Sequence, residues 1–113
     1  MVDFKIIQIK TNAQNLYGWL ALSNTDQPVG HIFMQVELDK RIRFMDAWVD
    51  DDHRRQGIFT GLWDQRWKYV QKNFEGYTAY AWCLPMSVGL LRKKGFEEGD
   101  KKVYMEKVIN NEG

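Results

Sequence analysis

The chain is poor in the residues that build covalent and metal frameworks: one cysteine, two histidines and two prolines in 113 residues. A lone thiol, Cys83, excludes an internal disulfide and leaves too few sulfurs for a zinc ribbon. His31 and His53 share no metal-ligand spacing, so no metal site is expected. An excess of either charge is missing too, since sixteen Lys and Arg against fifteen Asp and Glu leave a net +1. No overall field draws such a protein to nucleic acid or to an anionic membrane, and neither is expected as a partner; any anion site must be local. There is no signal-peptide pattern and no apolar run near the ~18 residues of a membrane span. With one unpaired thiol, the expected compartment is a reducing cytoplasm. Two prolines and nine glycines also exclude a collagen-like or linker-like chain.

What is present is a core. Hydrophobic residues make up 44% of the chain and aromatic ones 14%. Each large ring can bury about 150–250 Å², which excludes intrinsic disorder. The length suits one domain over residues 1–113, able to bury roughly two-thirds of its unfolded surface.

Asp3–Lys10 alternates, with Phe4 and Ile6 on one face and Ile7 and Ile9 on the other, the pattern of a strand. The polar stretch Thr11–Asn15 is a loop. Tyr17–Ser23 and Val29–Leu38 are predicted strands joined by the turn cluster Asn24–Pro28. Asp39-Lys40 turns the chain into a fourth strand, Arg41–Val49. Four successive strands with short connections imply an antiparallel meander.

Beyond Asp50-Asp51-Asp52 the period changes. Ile58, Leu62, Arg66 or Trp67, Val70 and Phe74 recur at the spacing of an amphipathic helix. Trp63, Trp67 and Tyr69 exceed one stripe, as a partner face or an enlarged core would. Thr78–Leu84 is apolar on both faces and reads as a central strand. A short helix runs from Pro85 through Arg92, capped at Gly95, and Lys101–Ile109 is a last strand. The order β-β-β-β-α-β-α-β gives an α/β (α+β) domain with a mixed, mostly antiparallel sheet. Its strand–helix–strand unit should pair Arg41–Val49 with Thr78–Leu84 in parallel. Ligands of such sheets gather at the carboxyl ends of strands, which points to the segment between Val49 and Ile58.

That segment can hold an anion. A helix start has about four backbone N–H groups without an internal partner and a partial positive charge. Gly57 lets the backbone approach closely, Arg54 and Arg55 add charge, and Thr60 adds a hydroxyl. An ordinary helix start has the same appearance, and neither GxxxxGK[ST] nor GxGxxG is present.

Val29–Phe96 resembles the GNAT superfamily of acyl-CoA-dependent N-acetyltransferases. The family carries (Q/R)-x-x-G-x-(G/A) after its fourth strand, where this chain reads Arg54-Arg55-Gln56-Gly57-Ile58-Phe59. A second helix ending in Gly95-Phe96 matches the family's Y-x-x-x-G-F. The resemblance implies a minimal member in which the helices between the first two strands are reduced or absent. It implies that acetyl-CoA is the co-substrate and that its pantetheine lies between splayed strands, paired with amides near Ala47 and Val49. It also implies that the turn formed by Arg54, Arg55, Gln56, Gly57, Ile58, Phe59 and Thr60 takes the pyrophosphate. The sequence departs from the family at Phe59, where Gly or Ala is usual, at Asp51, at Leu84 and at Leu91, which replaces the usual tyrosine acid.

The candidate base is Asp46, whose carboxylate could accept a proton from an ammonium or could be a sheet-rim acid paired to an Arg. Glu37 is a second. Tyr80 and Tyr104 are candidate acids, with Ser87 as a further donor; rings in strands more often pack. Cys83 reads as a buried hydrophobe, Arg92-Lys93-Lys94 as a helix C-terminal charge complement, and His31 and His53 as surface or strand residues. The function the resemblance implies is acetyl transfer from acetyl-CoA to a primary amine by direct attack. The alternative is a non-catalytic CoA-binding or protein-interaction module. With the acceptor groove short of its usual wall, a homodimer is expected.

Overall fold

The computed structural model describes residues 4–82, 88–98 and 104–109. Four antiparallel strands lead: β1 (Phe4–Ile9), β2 (Leu16–Ser23), β3 (Pro28–Glu37) and β4 (Arg41–Val49). A 3-10 turn at Asp51–His53 precedes the long helix α1 (Ile58–Asn73). Then come β5 (Thr78–Trp82), the short helix α2 (Val88–Lys93), β6 (Glu97–Glu98) and β7 (Tyr104–Val108). The sheet order is β1-β2-β3-β4-β5-β7-β6, with β4 and β5 parallel as expected and every other pair antiparallel. The two-residue β6 is a strand the alternation pattern does not reveal, because two consecutive glutamates carry no period.

Local chemistry explains the turns. Asp39 and Lys40 both take positive φ, 63° and 57°, the mirror-image turn whose twist suits a hairpin. At the β2–β3 turn the Ser23 hydroxyl accepts the N–H groups of Thr25 and Gln27 at 3.3 and 3.2 Å. Helix α2 ends at Gly95, φ 91°, whose N–H donates to the Arg92 carbonyl while that of Phe96 donates to Leu91. These are the two bonds of a Schellman cap, which needs a left-handed residue where glycine stands.

The core lies on one face of the sheet. Trp19, Ala21, Ile32, Met34, Ile42 and Phe44 alternate inward and meet Ile58, Leu62, Trp63 and Val70 of α1. The surplus rings of α1 belong to this core. Trp63 and Trp67 stack edge-on against Phe44 at 5.6 and 6.2 Å, and Tyr69 packs on Trp19 and Tyr17. Leu91 is buried in the same cluster. Its side chain fills the core.

Among the described residues, no element covers the other face. Phe4 and Ile6 lie against α1 at Gly61, so Ile7 points away from the helix. Residues directly opposite one another share a face, and the pairs Ile7–Leu20, Leu20–His31 and His31–Trp48 make one row across four strands. Both ends of the row, Ile7 and Trp48, are over 40% exposed, at 44% and 41%. The β1–β2 connection, residues 10–15, is too short to supply a covering helix.

The stripe of α1 also contains Arg66, four residues from both Leu62 and Val70 and only 2% exposed. Its guanidinium lies 3.7 Å from the centre of the Phe44 ring and 4.7 Å from that of Trp63. One nitrogen donates to the Phe33 carbonyl at 3.0 Å, and Nε has no partner among the described residues. Burial pushes its pKa well down, and the aromatic faces offset part of that cost. Arg66→Ala should destabilise the fold by about 2–4 kcal/mol, through the lost stem and the orphaned carbonyl. Arg66→Met, which keeps the stem, should cost clearly less; urea unfolding of the two variants checks the order.

Candidate functional site

The site begins with a mismatch in β4. Phe33 faces Met45 and His31 faces Trp48, so one residue of β3, Ile32, opposes two of β4, Asp46 and Ala47. This is a β-bulge, and Asp46 takes the left-handed conformation at φ 53°. A bulge bends its strand, and among the described residues β4 pairs with β5 at three positions, Arg41–Thr78, Ile42–Ala79 and Arg43–Tyr80. From Phe44 onward the described residues of the two strands have no ladder between them, and a gap opens along β4 toward Val49.

Beyond the bulge β4 rejoins β3, and the Asp50 N–H donates to the Val29 carbonyl at 2.9 Å. Amide direction alternates along a strand, so the Val49 N–H points the other way, into the gap. Ala47 stands two residues earlier, in the bulge itself. Val49, one of the two residues expected to face a ligand through their backbone, thus aims its amide to the side of β4 that β5 has left.

The turn after β4 is braced by the acidic run. His53 Nδ1 lies 2.7 Å from an Asp50 carboxylate oxygen, and Arg54 pairs with Asp51 at 2.9 Å. Asp50 and Asp51 therefore shape the loop, and among the described residues no group of three or more His, Cys, Asp or Glu could hold a metal ion. The Arg54 pair is exposed and contributes little stability, leaving its guanidinium available to a stronger anion. Arg55 and Gly57 take left-handed φ of 65° and 82°, and the intervening Gln56 has a buried side-chain oxygen with no partner among the described residues.

Helix α1 starts without a side-chain cap. No backbone N–H from Arg55 to Thr60 meets an acceptor among the described residues. A Cβ placed on Gly57 would meet nothing within 4 Å, so open space lies directly above the cradle. Ile58 contributes only its backbone here, because its side chain is buried in the core. Phe59 packs against Trp63, centroids 6.1 Å apart, and so turns its ring away from the cradle. Gly30 permits this junction: a Cβ there would come within 2.9 Å of Ile58 and 3.0 Å of the Trp48 carbonyl.

The candidate acids and bases fall in different places. Asp46 sits on the bulge, exposed. Tyr80 and Glu37 are joined to each other, the phenol donating to the carboxylate at 2.5 Å, with Arg41 4.5 Å from the ring centre. Glu37 pairs with Arg41, five residues before Asp46, or about 16 Å along the strand at ~3.3 Å per residue. This pair braces the closed end of the β4–β5 unit. Tyr104 pairs its backbone with Trp82, but its side chain, like Cys83, Leu84, Pro85 and Ser87, lies outside the described residues. A depression of about 350 Å³ between Trp63, Trp67, Lys94 and Lys107 flanks the middle of α1, away from its first turn.

One residue of the site has no signal in the sequence. His31, across from Trp48, directs Nδ1 at the Asp46 carbonyl, 2.8 Å away. The bulge creates that contact, and strand register is invisible in a one-dimensional pattern.

Burial, the bond to Glu37 and its negative charge push the Tyr80 phenol up to about 12 from 10.0, against the pull of Arg43 and Arg41. A raised phenol means the folded state holds its proton longer than the unfolded chain. The stability this adds is intact below pH 10 and is lost as pH rises from 10 toward 12. Tyr80→Phe should be less stable than the parent at neutral pH. The difference should shrink over that alkaline window, as read from denaturation midpoints.

At the level of sequence, no family model and no curated protein matches the chain. Solved structures do. The ribosomal-protein-S18-alanine N-acetyltransferase of Escherichia coli superposes with a TM-score of 0.79 at 15% identity, over 98% of this chain and 97% of that one. A GNAT-family acetyltransferase of Staphylococcus aureus gives 0.67 at 17% identity, covering 82% and 67%. An Escherichia coli GNAT-family N-acetyltransferase in complex with CoA gives 0.64 at 17%, covering 80% and 57%.

Proposed function

We propose that this chain, whose fold is that of the GNAT N-acetyltransferases, transfers an acetyl group from acetyl-CoA to a primary amine. One observation carries the reading: the gap left by β5 runs into a row of unpartnered N–H groups at the start of α1. A diphosphate suits that row, with Gly57 leaving room for it and Arg54 and Arg55 adding charge. An extended pantetheine suits the gap, where strand-like amides at Ala47 and Val49 replace the missing ladder. A thioester carbonyl beside Val49 would find its N–H aimed at the developing oxyanion. The acceptor nitrogen attacks directly in a ternary complex, and the bare sheet face supplies its approach.

A second reading, a CoA-binding module without catalysis, draws support from Leu91 in the core and Tyr80 tied to Glu37. Neither supplies an acid to the sulfur. A thiolate leaves without a donor at a penalty of roughly 10²–10⁴ in rate, so the enzyme reading predicts slow turnover. No described helix is long and apolar enough to cross a membrane, and we place the protein in the cytoplasm on its single thiol.

Calorimetry should show CoA and acetyl-CoA binding to the parent chain. Gly57→Ala should weaken binding more than tenfold by filling the cradle, at a left-handed strain cost of only about 1–2 kcal/mol. Arg54→Ala should weaken it less and flatten its salt dependence. Absence of heat from folded parent protein overturns both readings.

We further propose a homodimer that covers the β1–β2 end of this face, at Ile7 and Leu20, and leaves His31 and Trp48 open to the acceptor. Sedimentation at on the order of ten micromolar should show a dimer, dissociated by Ile7→Glu. A parent chain that stays monomeric at that concentration overturns the assembly.

A further inference from the structure

We infer that His31 is the general base that deprotonates the acceptor amine, an inference that rests on the acetyl-transfer reading. The argument starts from the tautomer. A carbonyl oxygen can only accept, so the 2.8 Å contact with Asp46 makes His31 Nδ1 the N–H donor. In the neutral ring Nε2 then carries the lone pair. Nε2 has no partner among the described residues, and the side chain is partly exposed.

The ring is also held still. Phe33 and Trp48 flank it, each with its centroid 5.3 Å away, at interplanar angles of 64° and 35°. The anchoring carbonyl belongs to Asp46, the left-handed residue of the bulge. The feature that opens the gap therefore also orients the imidazole. Fixing one nitrogen by a backbone bond so that the other can work is how histidine serves as a proton acceptor.

Position supports the role. Val49 pairs with Gly30, so His31 is one strand away, at about 4.8 Å, and one residue along from the amide aimed into the gap. Helix α1 and the core fill one side of the sheet; His31 projects on the other, in the open row from Ile7 to Trp48. An amine that approaches a thioester beside Val49 from the open side passes this ring.

The step balances. Nε2 takes one proton from the ammonium, leaving a neutral amine whose lone pair forms the C–N bond as the carbonyl pair moves to oxygen. That pair returns, the C–S bond breaks with its electrons on sulfur, and the thiolate takes a second proton from the nitrogen. The products are the amide and CoA thiol, and the imidazolium gives its proton to water.

The test uses two acceptors, ethylamine, an ammonium near neutral pH, and trifluoroethylamine, which is largely neutral there. His31→Gln should lower kcat with ethylamine by roughly 10²-fold, within the usual worth of a general base, and with trifluoroethylamine by much less. His31→Ala should regain rate with ethylamine when free imidazole is added. Calorimetric affinity for acetyl-CoA should match the parent in both variants. Equal losses with the two amines, or unchanged kcat, assign His31 a structural role or none and overturn the proposal. So does a selective loss in Asp46→Asn with none in His31→Gln, which makes Asp46 the base. A parent chain that binds acetyl-CoA but acetylates neither amine overturns the transfer reading itself, and the base with it.

Discussion

Strand β4 cannot follow β3 and β5 at once. The extra residue at Asp46-Ala47 keeps it in step with β3 on both sides of the bulge, where Met45 meets Phe33 and Trp48 meets His31. The resulting bend takes it out of reach of β5 after Arg43. Backbone amides in the interior of a sheet normally find partners, and here a stretch of β4 gives them up. That sacrifice creates an extended slot with a polar edge, ending at a helix N-terminus. A ligand that is itself strand-like in one part and anionic in another answers both needs.

The closed end of the unit resists the splay. Tyr80, Glu37 and Arg41 tie β3, β4 and β5 together where the ladder still exists, and burial holds the phenol neutral. On the core side, Phe44, Trp63, Trp67 and Phe96 form one aromatic cluster beneath the gap. Arg66 adds a tether from α1 to the Phe33 carbonyl, next to the bulge. The open slot is therefore framed by a rigid base, which keeps separated strands from collapsing onto each other.

The uncovered sheet face follows from the short β1–β2 connection. With six residues, 10–15, between those strands, nothing from that part of the chain covers the row from Ile7 to Trp48. The same absence leaves His31 accessible beside the bulge. Economy of length thus exposes an apolar surface and an approach to the site together.

Much of this was legible in the residues. Alternation marks β1 to β4, and β4 runs over Arg41–Val49 as expected. A 3.6 period marks α1 from Ile58, and Gly95 marks the end of α2, because glycine alone takes that φ without cost. The free N–H groups from Arg55 to Thr60 were legible too, since unpaired N–H groups belong to any helix start. Other features depend on which residue lies opposite which. The bulge, the three-pair limit of β4–β5, the pairing of Tyr80 with Glu37 and the contact between His31 and the Asp46 carbonyl all join residues distant in sequence. The burial of Arg66 and Leu91 is of the same kind, because helical periodicity locates a stripe but not the depth to which each side chain sinks. Local propensity and period are written along the chain. Register, bend and burial arise only when strands pair and a helix is laid across them.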